Sequence, residues 1–139
     1  MEIAAIILAA GQGTRLKSAV PKPLHRIGGR PMLAWSLDAA IAANASRVIS
    51  VLPHQSAQIQ DWLEGRDFCV QDKPLGTGHA VQAAASALAD FNGVALIMFA
   101  DTPLVTADTL TGLASSIDAK TSVAVWGSKP LIPMAMAGW

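Results

Sequence analysis

The sequence IAAIILAAGQGTRL occupies residues 3–16 and joins an apolar run to a glycine-bearing loop. Residues 3–8 are rich in branched aliphatic side chains and contain no polar residue, which is typical of a strand buried on both faces of a sheet. The run then reaches Gly11 and Gly13, whose backbones turn easily. We therefore predict a β-strand over residues 3–8, followed by a loop at its carboxyl end.

The alternation of apolar strands and helical stretches continues along the chain. Pro31 suits a first helical position and Asn44 can adopt the left-handed conformation that ends a helix, so a helix is predicted between them. Its large apolar residues are spaced mostly by three and four, which is helical spacing; they are Met32, Trp35, Leu37 and Ile41. Further helices are predicted over residues 55–63, 78–89 and 106–117, with Thr106 as a cap, and further strands over 48–52, 68–71, 94–99 and 122–126.

This order of elements determines the predicted fold class. Strands that alternate with helices are joined by right-handed crossovers and form a mostly parallel sheet between helical layers. The sequence therefore predicts an α/β protein with a Rossmann-like, mostly parallel sheet and helices on both faces. Ligands in such sheets bind at the carboxyl ends of the strands.

Composition narrows the class of partner. The 139 residues are 52% hydrophobic and 14% charged, with ten basic and ten acidic side chains, so one domain with one sizeable core is predicted. A balanced charge argues against nonspecific binding to nucleic acid or an anionic membrane.

The sequence also bears on the cellular compartment. Cys69 is the only cysteine, which excludes an internal disulfide and favours a reducing compartment. The apolar runs fall short of the roughly 20 residues of a membrane helix and no basic signal start is present, so we expect a cytoplasmic protein.

The loop after the first strand has the features of an anion site. Small residues leave backbone N–H groups open to a phosphate. The loop is neither the dinucleotide fingerprint, because Leu16 stands at the third glycine position, nor a P-loop. Half of the basic residues lie between positions 15 and 30, with no acidic residue between Glu2 and Asp38. An anionic ligand would relieve their mutual repulsion, and a solvated basic loop is the alternative interpretation.

Several segments together resemble one family of enzymes. They are LAAGQGTR at 8–15, PKPLH at 21–25, GGRPM at 28–32, LGTGHA at 75–80 after Gln71, and FADTPL at 99–104. They resemble the opening of sugar-1-phosphate nucleotidyltransferases, and most closely the uridyltransferase domain of the bacterial bifunctional N-acetylglucosamine-1-phosphate uridyltransferase and glucosamine-1-phosphate acetyltransferase. The resemblance runs from about residue 3 to residue 126, and LGTGHA is its most discriminating segment. It implies the nucleotide-diphospho-sugar transferase type of fold, here incomplete.

The resemblance implies a reaction and a nucleotide site. The family transfers UMP from UTP to N-acetylglucosamine 1-phosphate with Mg2+ bound, releases pyrophosphate, and so makes a cell-wall precursor. The backbone of Ala9 and Gly11 and the side chain of Gln71 would contact the uracil. The full set of implied nucleotide-binding residues is Leu8, Ala9, Ala10, Gly11, Gly13, Thr14, Gln71, Gly76 and Thr77.

The implied chemical residues are fewer. Arg15 and Lys22 would hold phosphate oxygens and stabilise charge on the leaving pyrophosphate, which is what phosphoryl transfer requires of a protein. Asp101 directly follows a predicted strand and would be the Mg2+ ligand. Phe99 and Ala100 would adjoin the sugar phosphate. The family usually has Tyr-Gly at these two positions, and the methyl group of Ala100 is expected to crowd the ligand. His79 is interpreted as a packing or capping residue.

The last twelve residues, SKPLIPMAMAGW at 128–139, have neither helical nor alternating periodicity. One back-translation of the tail, with a single T restored in front, reads FEAADPNGYGRL, which the family carries after such a strand. We therefore predict a nucleotide-binding portion over residues 1–127 and a tail that is out of frame. On this hypothesis the downstream sugar-binding and metal-binding residues and the acetyltransferase domain are missing, so acetyl transfer is excluded and uridyl transfer by this chain alone is doubtful.

Two alternatives remain open. The chain could belong to another nucleotidyltransferase, acting on a hexose phosphate or on the molybdenum cofactor, although Gln71 and the LGTGHA segment argue against it. It could also be an inactive fragment that binds nucleotide weakly, or that packs against a second copy through an exposed sheet edge.

Overall fold

A computed structural model describes residues 1–11, 13 and 16–127. Gln12, Thr14, Arg15 and the predicted out-of-frame tail, residues 128–139, lie outside the described residues. The described elements are β1 (Ile3–Leu8), β2 (Arg26–Ile27), β3 (Arg30–Pro31), α1 (Met32–Ala42), β4 (Arg47–Pro53), α2 (Ala57–Trp62), β5 (Phe68–Gln71), α3 (Thr77–Ala83), β6 (Val94–Phe99) and α4 (Ala107–Ser115), with 3-10 turns at Lys22–Leu24 and Ala85–Leu88.

The main sheet has four strands in the order β5-β4-β1-β6. Every neighbouring pair is parallel, and β1 pairs with β4 from Ala4 opposite Arg47 and with β6 from Ile3 opposite Val94. The central strand β1 is buried along nearly its whole length. The prediction of a parallel sheet around a doubly covered first strand is confirmed.

Helices cover both faces of this sheet, as predicted. On one face α1, α2 and α4 bury a large apolar cluster that includes Leu33, Ile59 and Leu110. On the other face α3 covers a smaller cluster, with Ala80 against Ile6. Truncating a side chain as fully buried as Leu33 to alanine typically costs about 2–5 kcal/mol. These two clusters hold the strand ends in fixed positions, where the loops of the candidate site begin.

The helix ends follow the predicted local chemistry. Pro31 is the N-cap residue of α1, one position before the first helical position predicted for it, and Asn44 has a φ of 59°, the left-handed conformation that ends the helix. Thr106 caps α4, because its Oγ1 accepts a hydrogen bond of 3.3 Å from the backbone N–H of Thr109. Ile41 differs from the expected inward pattern of α1, since 58% of its surface is exposed.

A short hairpin between β2 and β3 was not predicted. Gly28 and Gly29 form its turn with φ values of 58° and 80°. Two successive residues with positive φ are characteristic of a type I′ hairpin turn, for which Gly-Gly is a favoured pair. The signal was therefore present in the sequence between Ile27 and Arg30.

Two predicted elements are wrong in extent or kind. The helix predicted over 78–89 ends at Ala83 and continues as a 3-10 turn, where Arg47 donates a hydrogen bond of 3.1 Å to the carbonyl oxygen of Ala87. The carbonyl of Ala87 is among the last four of the predicted helix, which have no partner within it, so this contact satisfies a group that the end of the helix leaves open. No strand forms over 122–126, where Val123 and Val125 are 78% and 88% exposed. Apolar β-branched residues form a strand only where a partner edge completes the hydrogen bonds.

No helix among the described residues has both the length and the apolar character that crossing a membrane would require.

Candidate active site

A cleft of about 420 Å³ opens at the carboxyl ends of β1, β5 and β6. This is the edge at which parallel α/β sheets bind ligands. Four segments that are distant in sequence meet there: the loop after β1, the turn at Lys22, the segment after β5 and the residues after β6. The cleft is lined by Leu8, Ala9, Ala10, Gly11, Lys22, Pro23, Gln71, Pro74, Gly76, Thr77, Ala80, Phe99, Ala100 and Asp101.

Most of the residues singled out from the sequence line this one cleft. Of the implied nucleotide-binding set, only Gly13 and Thr14 are not among the lining residues, and Thr14, like Arg15, is outside the described residues. Sequence reasoning did not identify Pro23, Pro74 or Ala80. Pro23 and Ala80 lie within the PKPLH and LGTGHA segments, but no contact with a ligand was assigned to them.

The loop after β1 is anchored at its start by backbone hydrogen bonds. The N–H of Ala9 donates to the carbonyl of Val51 at 2.9 Å, and the N–H of Ala100 donates to the carbonyl of Leu8 at 3.1 Å. The Ala9 N–H is therefore committed to the sheet, and only its carbonyl could serve a ligand. Gly11 is exposed and a Cβ there would meet no atom within 4 Å, so its backbone is open to the cleft.

An ion pair joins Lys22 to Asp101 across the cleft. The two side chains are 79 residues apart in sequence and are 35% and 42% exposed. Ion pairs at this exposure contribute only about 0–1 kcal/mol, because solvent screens them and two flexible side chains must be ordered. The pair therefore brings both charges to the same place and can separate when a stronger partner arrives.

The backbone beside the Lys22–Asp101 ion pair requires a glycine at position 13. Its φ is 59°, and a Cβ added there would lie 2.8 Å from the Cβ of Lys22. Any larger residue would be strained in conformation and would displace the lysine. Gly13 thus contributes to the site through Lys22, although it does not line the cleft.

The positive charges between positions 15 and 30 have more acidic partners in the fold than the local sequence indicates. Asp101 pairs with Lys22, and Asp38 pairs with Arg30 at 2.6 Å. Arg26 donates a hydrogen bond of 3.2 Å to the carbonyl of Gly29. The interpretation of uncompensated cations is therefore wrong for Lys22 and Arg30, because folding brings a carboxylate to each of them.

Gln71 ends β5 and its side chain is held at the wall of the cleft. Only 6% of the residue is exposed. Its Nε2 lies 3.1 Å from the carbonyl oxygen of Gly76 and 3.0 Å from Nδ1 of His79. Sequence reasoning gave His79 no such partner. The signal was available, because the carboxyl end of β5 and the start of α3 must lie at the same edge of the sheet.

Phe99 and Ala100 occupy the end of β6 in different ways. Phe99 is 46% exposed, and its carbonyl accepts hydrogen bonds from the hydroxyls of Thr102 and Ser36 at 2.9 and 3.2 Å. Ala100 is 3% exposed and belongs to the main apolar cluster while also lining the cleft. The fold therefore accommodates its methyl group within the core.

The carboxylates available for a cation are few. Among the residues that the structure describes, no group of three or more His, Cys, Asp or Glu side chains is arranged to hold a metal ion. Asp101 supplies one carboxylate at the cleft. One or two carboxylates, with water and substrate phosphates, are the usual protein contribution to bound Mg2+. Asp101 therefore fits a cation that arrives with a phosphorylated substrate.

Known proteins similar to this chain show the family to which it belongs. The model of the MobA-like NTP transferase domain family matches residues 5–138. The bifunctional protein GlmU of Maricaulis maris is 47% identical over 133 residues, which are 94% of this chain and 29% of that protein. GlmU of Pelobacter propionicus is 50% identical over 114 residues, or 80% of this chain and 25% of that protein. The chain therefore spans less than a third of the length of these relatives.

A solved structure shows the same fold. The crystal structure of Rv0371c from Mycobacterium tuberculosis superposes with a TM-score of 0.71 over 83% of this chain and 60% of that one, at 23% identity. The part of the family match beyond residue 127 falls on residues that the structure does not describe, so the predicted boundary at Gly127 stays a prediction. The chain belongs to the MobA-like NTP transferase domain family, and it matches the N-terminal region of bifunctional GlmU proteins.

Proposed function

We propose that this chain is the nucleotide-binding part of an enzyme that transfers UMP from UTP to N-acetylglucosamine 1-phosphate and releases pyrophosphate. The observation that carries the proposal is the single cleft in which Gln71, Gly76 and Thr77 meet the loop after β1 and the Lys22–Asp101 pair. The GlmU relatives support the same reaction. The product would be a cell-wall precursor, and we propose a cytoplasmic enzyme because nucleoside triphosphates are made there.

In this proposal one end of the cleft binds the base of the nucleotide and the other end binds its phosphates. The buried amide of Gln71 and the backbone near Gly76 would contact the base, since they form its polar wall. The open backbone of Gly11 would approach the phosphates. Leu8, Ala9 and Ala10 would shape the floor between them.

Charge stabilisation would come from the basic side chains. Lys22 would leave Asp101 and bind phosphate oxygens when the triphosphate enters, and Arg15 would bind others through its planar guanidinium. The sugar phosphate attacks the α-phosphorus and pyrophosphate leaves, so the protein mainly positions reactants and offsets negative charge. No covalent intermediate with the protein is needed.

Asp101 would hold Mg2+ together with the phosphates of the substrate. The ion would supply electrostatic stabilisation of the charge that develops on the phosphate oxygens. Phe99 and Ala100, directly before this carboxylate, would adjoin the sugar phosphate. Because Asp101 is paired with Lys22 in the free chain, binding of the cation and release of the lysine would be coupled.

Calorimetry with UTP, CTP, GTP and dTTP in the presence of Mg2+ tests the nucleotide part of this proposal. We expect UTP to bind most tightly, with dTTP weaker and CTP and GTP weakest. Equal affinity for GTP would contradict it. Transfer of labelled UMP to N-acetylglucosamine 1-phosphate, compared with glucose 1-phosphate and mannose 1-phosphate, tests the acceptor in the protein obtained by restoring the predicted reading frame after residue 127. Preferential labelling of a different sugar phosphate would point to another nucleotidyltransferase.

A further inference from the structure

The side-chain amide of Gln71 lies within hydrogen-bond distance of two neighbours. Its Nε2 lies 3.1 Å from the carbonyl oxygen of Gly76 and 3.0 Å from Nδ1 of His79. The residue is only 6% exposed and lines the cleft. His79 is half-buried in the first turn of α3. The amide is therefore held from two directions beside the space proposed for the base.

The partners decide which way the amide faces. A backbone carbonyl can only accept, so the atom that faces Gly76 must be the amide nitrogen. That nitrogen carries two hydrogens, and the second is directed to Nδ1 of His79. An imidazole nitrogen that accepts carries no proton, so the neutral ring must be protonated on Nε2. The contact with Gly76 thus requires one orientation of the amide, and with that orientation the contact with His79 requires one tautomer of the histidine.

This orientation fixes what the amide can offer to a ligand. Both N–H groups of Gln71 are used within the protein, and the described residues provide no hydrogen bond to its Oε1. The group that Gln71 can still offer to a ligand in the cleft is therefore Oε1, a hydrogen-bond acceptor. Uracil and thymine carry a ring N–H at position 3, whereas cytosine carries a bare nitrogen acceptor there. An acceptor in the wall favours the first two bases and repels the third.

We propose that His79 is a positioning residue that holds Gln71 with its carbonyl oxygen towards the base, and thereby makes the cleft select uracil over cytosine. The proposal rests on the proposed function, because it assigns the residue that sets the base preference of the same site. Without an acceptor at position 79, one N–H of the Gln71 amide is left unpaired in a buried place. The amide then gains by turning that N–H to a base nitrogen, and cytosine becomes acceptable.

Two substitutions at one position separate positioning from packing. His79→Asn keeps an acceptor, its Oδ1, close to the place of Nδ1, whereas His79→Leu keeps bulk and removes the acceptor. We expect the ratio of the CTP to the UTP dissociation constant to stay near the wild-type value in His79→Asn and to fall by about tenfold in His79→Leu, which is the size of one lost hydrogen bond. Thermal unfolding of both variants checks that each one folds.

The selectivity ratio is the decisive readout, because a merely structural role for His79 would weaken UTP and CTP binding equally. An unchanged ratio in a folded His79→Leu variant would overturn the proposal, and so would loss of selectivity in His79→Asn. Wild-type protein that binds UTP and CTP equally would overturn it while leaving nucleotide binding intact. Wild-type protein that binds no nucleoside triphosphate would overturn the proposed function, and this proposal with it.

A second measurement needs no nucleotide and uses the whole free chain. The 15N chemical shifts of the imidazole nitrogens report which nitrogen carries the proton. At a pH where His79 is neutral, we expect protonation on Nε2 and a bare Nδ1 that shows coupling across the hydrogen bond to the Gln71 amide. A proton on Nδ1 would overturn the proposal regardless of what the cleft binds.

Discussion

Lys22 and Asp101 form an ion pair at the cleft that a ligand can separate at low cost. Each side chain remains more than one-third exposed, and each has its partner within ion-pair distance. An exposed pair contributes little to stability, so a polyanion or a cation can displace either member at low cost. The pair therefore keeps the lysine and the carboxylate in place for a ligand that carries both a phosphate and a metal ion.

The first prediction concerns Asp101→Asn. With Mg2+ present, we expect UTP affinity to fall by about tenfold or more, because hydrogen bonds and contacts to charged groups contribute about 1.5–3 kcal/mol. Without Mg2+, we expect UTP affinity to be equal or higher than in the wild type, because Lys22 no longer has a competing carboxylate. Calorimetry with and without the metal measures both effects.

Asp38→Asn is the matched control for this experiment. Asp38 also pairs with a basic side chain, Arg30, and its exposure of 54% is comparable, but it is not among the residues that line the cleft. We expect this variant to bind UTP like the wild type under both conditions. A similar loss in both variants would show that net charge, and not the position of Asp101, controls binding.

At the scale of elements, the central strand β1 positions the loops of the candidate site. It pairs with β4 on one side and β6 on the other, and its carboxyl end leads directly into the cleft loop. The parallel register with β6 places Leu8 opposite Phe99, so both strands end at the same level. A change that shifts this register would move the loop and Asp101 relative to each other.

Gly93, just before β6, is the position where that register is most sensitive. A Cβ there would lie 2.3 Å from the carbonyl oxygen of Glu2, which accepts the hydrogen bond from Val94. We expect Gly93→Ala to lower the free energy of unfolding by about 1–3 kcal/mol, the usual cost of forcing extra atoms into a packed place. Urea denaturation of the whole chain measures it.

Gly112→Ala provides the comparison within the same protein. Gly112 lies inside α4, is exposed, and a Cβ there would meet no atom within 4 Å. We expect it to raise the free energy of unfolding by about 0.5–1 kcal/mol, because alanine favours a helix interior over glycine. Equal effects of the two substitutions would contradict the close contact between Gly93 and Glu2.

An ion pair between Arg47 in β4 and Asp90 predicts how stability depends on pH. Hydrogen bonding to Arg47 lowers the pKa of Asp90 from its usual 3.8 to about 2. A lowered pKa in the folded state stabilises the fold above the unfolded value and loses this effect as pH falls from about 4 towards 2. We expect the difference in urea midpoint between the wild type and Asp90→Asn to shrink over that range and, because the pair is exposed, in high salt. A difference that stays constant with pH would contradict the pairing.

At the scale of the whole molecule, the sequence predicts what depends on local pattern. The strand at residues 3–8, the cap at Thr106 and the helix end at Asn44 follow from residue type and spacing, and all are confirmed. The strand predicted over 122–126 is wrong, because a strand needs a partner edge that no local pattern supplies. The candidate site, likewise, has one part that local sequence predicts and one part that only the fold reveals. Motifs identify most of its lining, whereas the pairing of Lys22 with Asp101 joins residues 79 positions apart and appears only after folding.

Self-association through the outer edge of β6 stays a prediction. Within the described part of the chain β6 has β1 as its only strand neighbour, and Ile97 and Phe99 are about half exposed there. Unpaired strand edges with apolar side chains favour pairing with another chain. Light scattering over a range of concentrations, with the cleft empty or filled by UTP, would separate this property from nucleotide binding.

The most direct test of the proposed nucleotide site is to map UTP binding on the chain by NMR. Titration of 15N-labelled protein with UTP and Mg2+ is predicted to shift the backbone amides of Gly11, Gly76, Thr77 and Asp101 together with the side-chain amide of Gln71, and to leave Ile41 and Gly112 unchanged. Shifts confined to the face of β6 and α4, or no shifts at millimolar UTP, would contradict a nucleotide site at the carboxyl ends of β1, β5 and β6.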